Sequence, residues 1–307
     1  MLRSALHSPG TKALFPGFVP PALATATTTP PSGDQWLHEI KFDGYRAQLH
    51  IHNNTIRVFT RRGNDWTGRF RKIAADAFLI KARSAVVDGE IVIPAENGTF
   101  DFNALQRALR ASKASDRLLM YAFDLLYLDG RDLRKLPLVE RKAMLKRILA
   151  GSDIQFSEAF ETSGAAMLKQ VCALGLEGIV SKRRDAGYHS DRTDSWRKMT
   201  CRIRETLVVT GYALKDGRFD GAYLGRIEDD KLVYAGKVEH GFGADDARDL
   251  VNRLKRFVQP QQPYSVKVKK PKAVWVKPQL FAEIEYRART ENGKLRHPSY
   301  RGVREDL

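Results

Sequence analysis

Apolar and polar positions alternate along most of this chain, and the period of the alternation changes several times. Residues 1–33 show no period. They hold Pro9, Pro16, Pro20, Pro21, Pro30 and Pro31, which resist both helix and ladder pairing, so order is expected to begin near Gln35. Positions 36–40 and 46–52 read as strands. Asn53-Asn54 then turns the chain into 55–60, where Ile56 and Val58 share a face, which predicts a hairpin. A helix through Phe70, Ile73 and Phe78 follows. Positions 85–93 form a mostly apolar strand with Asp88, Gly89 and Glu90 at its middle. Acids inside a buried strand cost free energy unless paired, so these two require a partner or a task.

Helical spacing returns over 101–109, and a long apolar strand over 118–128 is stopped by Asp129-Gly130. A charged helix over 139–149 and a short strand near 154–156 come next. A helix over 165–174 closes on Gly175 as its C-terminal cap. Positions 177–182 read as a strand with charged ends. The stretch 182–204 is polar and basic and receives no element, and a domain boundary is placed at 201–204. Beyond it, 206–212, 222–227, 232–238, 273–276 and 280–286 are short strands with turn signals between them, and one helix covers 244–258. That order predicts a small barrel of the oligonucleotide-binding (OB) type. Periodicity thus gives an α+β chain: an irregular arm, a domain of strands and helices up to 201–204, and a small barrel beyond it.

Composition narrows the partners. Of 307 residues, 52 are Lys or Arg and 36 are Asp or Glu, a net charge of +16 that favours a polyanion. Nucleic acid comes first and an acidic membrane face second; a merely soluble basic protein remains open. No apolar run approaches the roughly 20 residues that span a bilayer. Cys172 and Cys201 have no second Cys or His at metal-ligand spacing. Neither a structural zinc site nor a disulfide framework is expected, and the usage suits a reducing cytoplasm. The acid-free N-terminus faintly resembles an organellar presequence, but its Pro and Thr content reads as an irregular arm.

Lys41 stands between the strand 36–40 and the break at Asp43-Gly44. A lysine so placed is either a covalent nucleophile or an ordinary surface residue, and its position alone leaves both open. As a nucleophile it must lose its proton, which burial and nearby positive charge favour; Arg46 and Lys198 are the candidate neighbours. An ε-amine that attacks phosphorus makes a phosphoramidate. The reaction needs cations around a triphosphate and a metal for the departing pyrophosphate. Glu90 and Glu177 are suited to a metal or a ribose hydroxyl, Arg46, Arg61 and Arg192 to phosphates, and Phe123 to a base. Each has a plainer reading: Phe123 as core, Arg61 and Arg192 as solvated charges, Glu90 as the partner of a structural arginine.

Taken jointly, these residues resemble a known family. Lys41-Phe42-Asp43-Gly44-Tyr45-Arg46 is similar to motif I, Lys-x-Asp-Gly-x-Arg, of the covalent nucleotidyltransferases. Thr60-Arg61-Arg62-Gly63 resembles motif Ia of DNA ligases, Val87-Asp88-Gly89-Glu90 motif III, and Tyr121-Ala122-Phe123-Asp124 motif IIIa. Glu177-Gly178-Ile179-Val180-Ser181-Lys182 resembles motif IV, Trp196-Arg197-Lys198 motif V, and Arg301-Gly302-Val303-Arg304-Glu305-Asp306 motif VI. All stand in the family's order, from about residue 19 onward. The lead-in Trp36-Leu37-His38-Glu39-Ile40 and the motif VI stretch are most similar to the ATP-dependent ligase module of bacterial ligase D.

The resemblance implies an α+β fold, with an irregular arm over 1–18, an adenylation (nucleotidyltransferase) domain of antiparallel sheets with helices over 19–202 and an OB-fold β-barrel over 203–307, and the following roles. Lys41 takes AMP from ATP. Glu39 meets the adenine, and Arg46 and Arg61 contact phosphate and sugar. Glu90 lies at the ribose, and Phe123 stacks on the base. Glu177 ties the metal (Mg2+ or Mn2+), with Glu90 as the second acid. Lys182 belongs to the ATP site, and Arg192 and Lys198 line the α-phosphate path. Arg301, Arg304 and Asp306 orient pyrophosphate. AMP then passes to a 5′-phosphate at a nick or broken end of duplex DNA, and a 3′-hydroxyl displaces it. The basic run Lys267 to Lys272 reads as a phosphate-tracking loop or a solvated turn. The resemblance further implies a monomer in the bacterial cytoplasm, associated with the nucleoid rather than a membrane, that holds DNA with its two domains or with the bacterial Ku end-binding protein. An RNA ligase, a capping guanylyltransferase or a weakly active DNA-binding relative are the competing readings.

Two positions depart from the pattern. Motif V usually carries a second lysine where Thr200 stands, and motif VI usually has a lysine where Leu307 stands. Losing a charge-assisted contact costs ~1.5–3 kcal/mol, or roughly one to two decades in rate when the contact is made in the transition state. Lysine adenylation is therefore expected to be slow, with nick sealing less affected. Single-turnover sealing by pre-adenylated enzyme tests this, and an equal defect in both steps would refute it.

Overall fold

The computed structural model describes residues 9–304, except 97, 101, 112–115, 271 and 291. The chain divides into two compact units, Met1–Cys201 and Arg202–Leu307. The first unit begins with β1 (Thr11–Lys12), β2 (Ala22–Ala26), β3 (Trp36–Ile40), β4 (Tyr45–His52), β5 (Thr55–Thr60), α1 (Arg71–Asp76), β6 (Ala85–Val92) and α2 (Phe102–Arg110). It continues with β7 (Leu119–Leu128), β8 (Arg131–Asp132), α3 (Leu138–Leu149), β9 (Gln155–Phe156), α4 (Gly164–Ala173), β10 (Gly178–Arg183) and β11 (Asp191–Thr200).

These strands build two sheets. One has the order β1-β8-β7-β6-β4-β5, with β9 beside β7; the other has the order β2-β11-β10-β3. The expected hairpin β4–β5 turns on Asn53 and Asn54, both at positive φ (49° and 59°), the requirement of a type I′ turn. Strand periodicity then sorts the side chains. On β4 and β6, Ala47, Leu49, Ile51, Val87 and Ile91 enter the main core with Phe70, Ile73, Leu105 and Leu145. Arg46, Gln48, Asp88 and Glu90 take the opposite face, paired in register as Arg46 with Glu90 and Gln48 with Asp88. A second core of Val19, Val86, Phe123, Leu126, Tyr188 and Trp196 lies on that face. The acids inside the 85–93 strand are thus explained: they point toward the second sheet, away from the main core.

Several expectations are corrected. The segment before Gln35 is not irregular throughout. β1 pairs with β8, β2 runs parallel to β11, and Gln48 clasps Val19 through both its backbone groups (3.0 and 2.7 Å). Its prolines forbid long ladders but leave short edge pairings open. The polar stretch 182–204 carries β11, whose side chains stay polar because much of one face lines a cleft. Cys172 and Cys201 are not free thiols. Packing of α4 on β10, with Met167, Val171, Ile179 and Met199, brings them into a disulfide with Cα atoms 5.4 Å apart.

The second unit holds β12 (Ile203–Lys215), β13 (Arg218–Glu228), β14 (Lys231–Val238), α5 (Ala244–Leu254), β15 (Ala273–Tyr286), β16 (Ala288–Arg289), β17 (Leu295–Arg296) and β18 (Ser299–Arg304). Its main sheet is antiparallel in the order β14-β13-β12-β15-β18 over a core of Leu207, Val209, Leu224, Val238, Leu250 and Ile284. The two strands expected at 273–276 and 280–286 are one, β15. It runs through Pro278 with a register irregularity opposite Val209 and Gly211. β18, unanticipated as a strand, carries Arg301 and Arg304 on the sheet edge.

A bridge across a sequence separation of 29 removes unfolded-state entropy worth about 3 kcal/mol. Reductant, or the Cys172→Ala/Cys201→Ala pair, is therefore expected to move unfolding of the chain to lower urea. An unchanged midpoint would mean that the thiols are not joined in solution.

Candidate active site

Lys41 leaves β3 at its last ladder position, where its amide donates to the Gly178 carbonyl of β10 (2.8 Å). Two glycines permit this junction. A Cβ on Gly44 would run into the Ile91 carbonyl oxygen of β6, so the chain after Lys41 can cross that strand only as glycine. Gly178, at φ +147°, has the Met199 carbonyl where a side chain would stand. These close approaches place the Lys41 ammonium against the Glu177 carboxylate, an ion pair joining the ends of two neighbouring strands.

Lys41 opens into a cleft of about 860 Å³. Every expected cleft residue of β3, β4, β6, β7, β10 and β11 lines it: Glu39, Arg46, Glu90, Phe123, Lys182, Arg192 and Lys198, together with Arg61. Glu177 joins through its ion pair with Lys41. Period-two alternation accounts for the set, since Glu39 and Lys41, Val180 and Lys182, and Trp196 and Lys198 each share one face of their sheet. Arg301 and Arg304 belong to the other unit, where Arg301 is held by Glu285 (2.6 Å). Asp306 lies outside the described residues.

Arg46 is not a loose phosphate clamp. Its guanidinium grips Asp88 through two hydrogen bonds (3.0 and 2.7 Å) and lies 4.9 Å from the Phe123 ring centre. Asp88 also accepts from the Tyr188 hydroxyl (2.5 Å), which in turn accepts from the Ala22 amide (2.9 Å). Arg192 lines the cleft while donating to the Ala24 carbonyl (2.9 Å). Phe123 serves two roles at once: it packs in the second core edge-on to Trp196 and faces the cleft.

Glu39 is 2% exposed and tightly held. Lys142 donates to Oε1 (3.0 Å), Ser157 donates to Oε2 (2.8 Å), and the Lys182 ammonium stands 3.0 Å from Oε2. Lys182 Nζ lies 4.4 and 4.2 Å from the Phe123 and Trp196 ring centres and is buried without a hydrogen bond among the described residues. A buried ammonium with unused donors at a cleft wall is a site for a ligand acceptor. Sequence reasoning assigned no role to Asp88, Tyr188, Trp196, Lys142 or Ser157. Asp88 left a signal as an acid inside an apolar strand, and Trp196 stood in the motif V stretch; the others join through long-range packing.

Burial dominates the electrostatics. It lifts Glu90 to about 8, against the opposing pull of Arg46 and Lys41 and with added repulsion from Glu177. It lowers Lys182 to about 8 despite Glu39, with Lys142 adding to the effect. It also lowers Lys198, helped by Lys41 and Arg192. Burial acts to lower Arg46 too, but Asp88 outweighs it and raises that guanidinium above its ordinary value. Glu90 and Glu177, near enough to repel, suit a Mg-type ion, which takes one or two carboxylates and completes its shell with water and substrate phosphates. Among the described residues no group of three or more His, Cys, Asp or Glu forms a dedicated metal cage.

The Glu90 shift has a defined sign. Its stabilising contribution is fully present below about 4.5 and is lost as pH rises through about 8, because the folded state holds the extra proton. In EDTA, Glu90→Gln is expected to gain stability over the parent as pH rises from 5 to 8.5, measured by urea unfolding. A gap that stays constant with pH would refute the assignment.

Comparison with known proteins identifies the family. Residues 21–200 match the model of the ATP dependent DNA ligase domain, and residues 215–307 match that of the ATP dependent DNA ligase C terminal region. The multifunctional non-homologous end joining protein LigD of Pseudomonas aeruginosa is 35% identical over 312 residues; the match takes in 97% of this chain and 36% of the length of that relative. The SPbeta prophage-derived DNA ligase-like protein LigB of Bacillus subtilis is 28% identical, with 94% and 99% of the two chains covered. Among solved structures, the ligase domain of M. tuberculosis LigD superposes with a TM-score of 0.57 at 29% identity, covering 94% of this chain and 95% of that one. The mycobacterial DNA ligase D complexed with ATP and MES gives 0.58 at 29%. The first unit is accordingly a nucleotidyltransferase fold and the second an OB-fold, and the chain belongs to the ATP-dependent DNA ligase family.

Proposed function

We propose that this chain seals 5′-phosphate/3′-hydroxyl breaks in duplex DNA by way of a lysyl-AMP at Lys41. The observation that carries the reading is the Lys41–Glu177 pair in a cleft walled by Lys182, Lys198, Arg61 and Arg192. The Lys41 amine, once deprotonated, forms its bond to the α-phosphorus of ATP as the bond to the bridging oxygen breaks and pyrophosphate leaves. Arg192 and Lys198, with Lys182 beside them, neutralise the α-phosphate, and Arg61 contacts phosphate and sugar. Phe123 supports the base, and Glu39 meets its edge. Glu90 and Glu177 would hold a divalent cation, which would supply charge neutralisation for the triphosphate. AMP then moves to the 5′-phosphate of DNA, and the 3′-hydroxyl displaces it. Arg301, Arg304 and Asp306 orient the departing pyrophosphate.

The likeness to the end-joining LigD proteins supports a task in double-strand break repair. We extend this to a monomer in the bacterial cytoplasm, associated with the nucleoid and working beside a Ku-type end-binding protein. The net charge of +16 suits the polyanionic substrate. Incubation with α-labelled ATP and magnesium is expected to label the parent chain and not Lys41→Ala, and to release the label as AMP when nicked 5′-phosphorylated duplex is added. Labelling by GTP in place of ATP, or of Lys41→Ala, would refute the proposal.

A further inference from the structure

Lys142 and Ser157 lie behind the cleft wall, yet both terminate on Glu39. Lys142 projects from α3 and is buried, its ammonium 4.6 Å from the Phe156 ring centre and donating to the Ser157 carbonyl (2.8 Å) as well as to Glu39 Oε1 (3.0 Å). Ser157 is itself fixed, its amide donating to the Ala122 carbonyl of β7 (2.8 Å). Its hydroxyl donates to Oε2 (2.8 Å). The carboxylate is therefore oriented from behind at both oxygens, while Lys182 and the Phe123–Trp196 pair stand on its cleft side. A base resting on that aromatic wall presents its edge to the carboxylate.

An ionised carboxylate only accepts hydrogen bonds, at about four lone-pair sites; Lys142 and Ser157 occupy one on each oxygen, and the Lys182 ammonium stands beside Oε2. What remains matches a purine 6-amino group, a donor, and repels a 6-oxo group, which offers only lone pairs. A buried Lys–Glu pair adds little net stability, because desolvation offsets attraction, whereas fixing a carboxylate's direction alters which base edge it tolerates.

We infer that Lys142, with Ser157, is a specificity-determining positioning residue that holds Glu39 in the orientation accepting a 6-aminopurine and refusing a 6-oxopurine. This rests on the reading that ATP binds this cleft and adenylates Lys41.

The test compares label transfer to Lys41 from ATP and from ITP, which differ at the purine 6-position. The parent is expected to favour ATP strongly in kcat/KM. Lys142→Met should lower that preference by about tenfold, through a higher KM for ATP with kcat little changed. Lys142→Arg should restore most of it, and Ser157→Ala should shift it in the same direction. Equal losses with both nucleotides, or an unchanged ratio, would overturn the inference and leave Lys142 a packing residue. Should Lys142→Met not fold, judged by its thermal transition, Ser157→Ala decides by the same ratio. Glu39→Gln separates the two levels. A parent without any ATP adduct refutes the ligase reading. An adduct whose ATP/ITP ratio ignores Glu39→Gln refutes base recognition by Glu39. A ratio that responds to Glu39→Gln but not to Lys142→Met or Ser157→Ala overturns the inference alone.

Discussion

The ion pair between Lys41 and Glu177 is the constraint around which the first unit is arranged. Its two members sit at the ends of adjacent antiparallel strands, and neither can be moved without disturbing the β3–β10 ladder. Gly44 and Gly178 are required because backbones pass too close for a side chain on either side of the pair. The polar faces of β4 and β6 approach from the other sheet and bring Arg46 and Glu90 to the same cleft. Lys41, the acids and the cations thus come together from strand register, with no long loop needed to carry any of them.

Buried charge is the second theme. Arg141 on Asp124, Lys142 on Glu39 and Arg46 on Asp88 are carboxylate pairs largely removed from water. Such pairs contribute little net stability, but breaking one leaves an uncompensated charge. They hold β3 and β7 to α3, and β6 to β4, in one relative placement. Hydrophobic contact alone, being non-directional, does not specify side-chain angles in this way.

Much of this was legible beforehand, and the exceptions have physical causes. Elements whose buried face is apolar, such as β6, β7, α3 and α4, follow from periodicity because their partners are simply the core. β11 did not, since its cleft side is lined by Arg192 and Lys198 and reads as solvent-exposed sequence. The early strands escaped notice because prolines punctuate the segment around them, while edge pairing needs only a few free amides. Motif spacing located Lys41, Glu90 and Glu177. It was blind to Lys142, Ser157 and Tyr188, whose importance comes from distant packing: 103 positions separate Lys142 from Glu39. The disulfide was missed for the same reason, as Cys172 and Cys201 meet only once α4 lies on β10.

That disulfide has a topological consequence. Cys172 and Cys201 close a covalent ring, and Glu177, Lys182, Arg192, Trp196 and Lys198 all lie within it. The acid paired with Lys41 and the cations of β10 and β11 therefore belong to one circle of bonds. A single backbone cut anywhere in that circle, including its exposed stretch at 189–192, would leave both fragments still joined by sulfur.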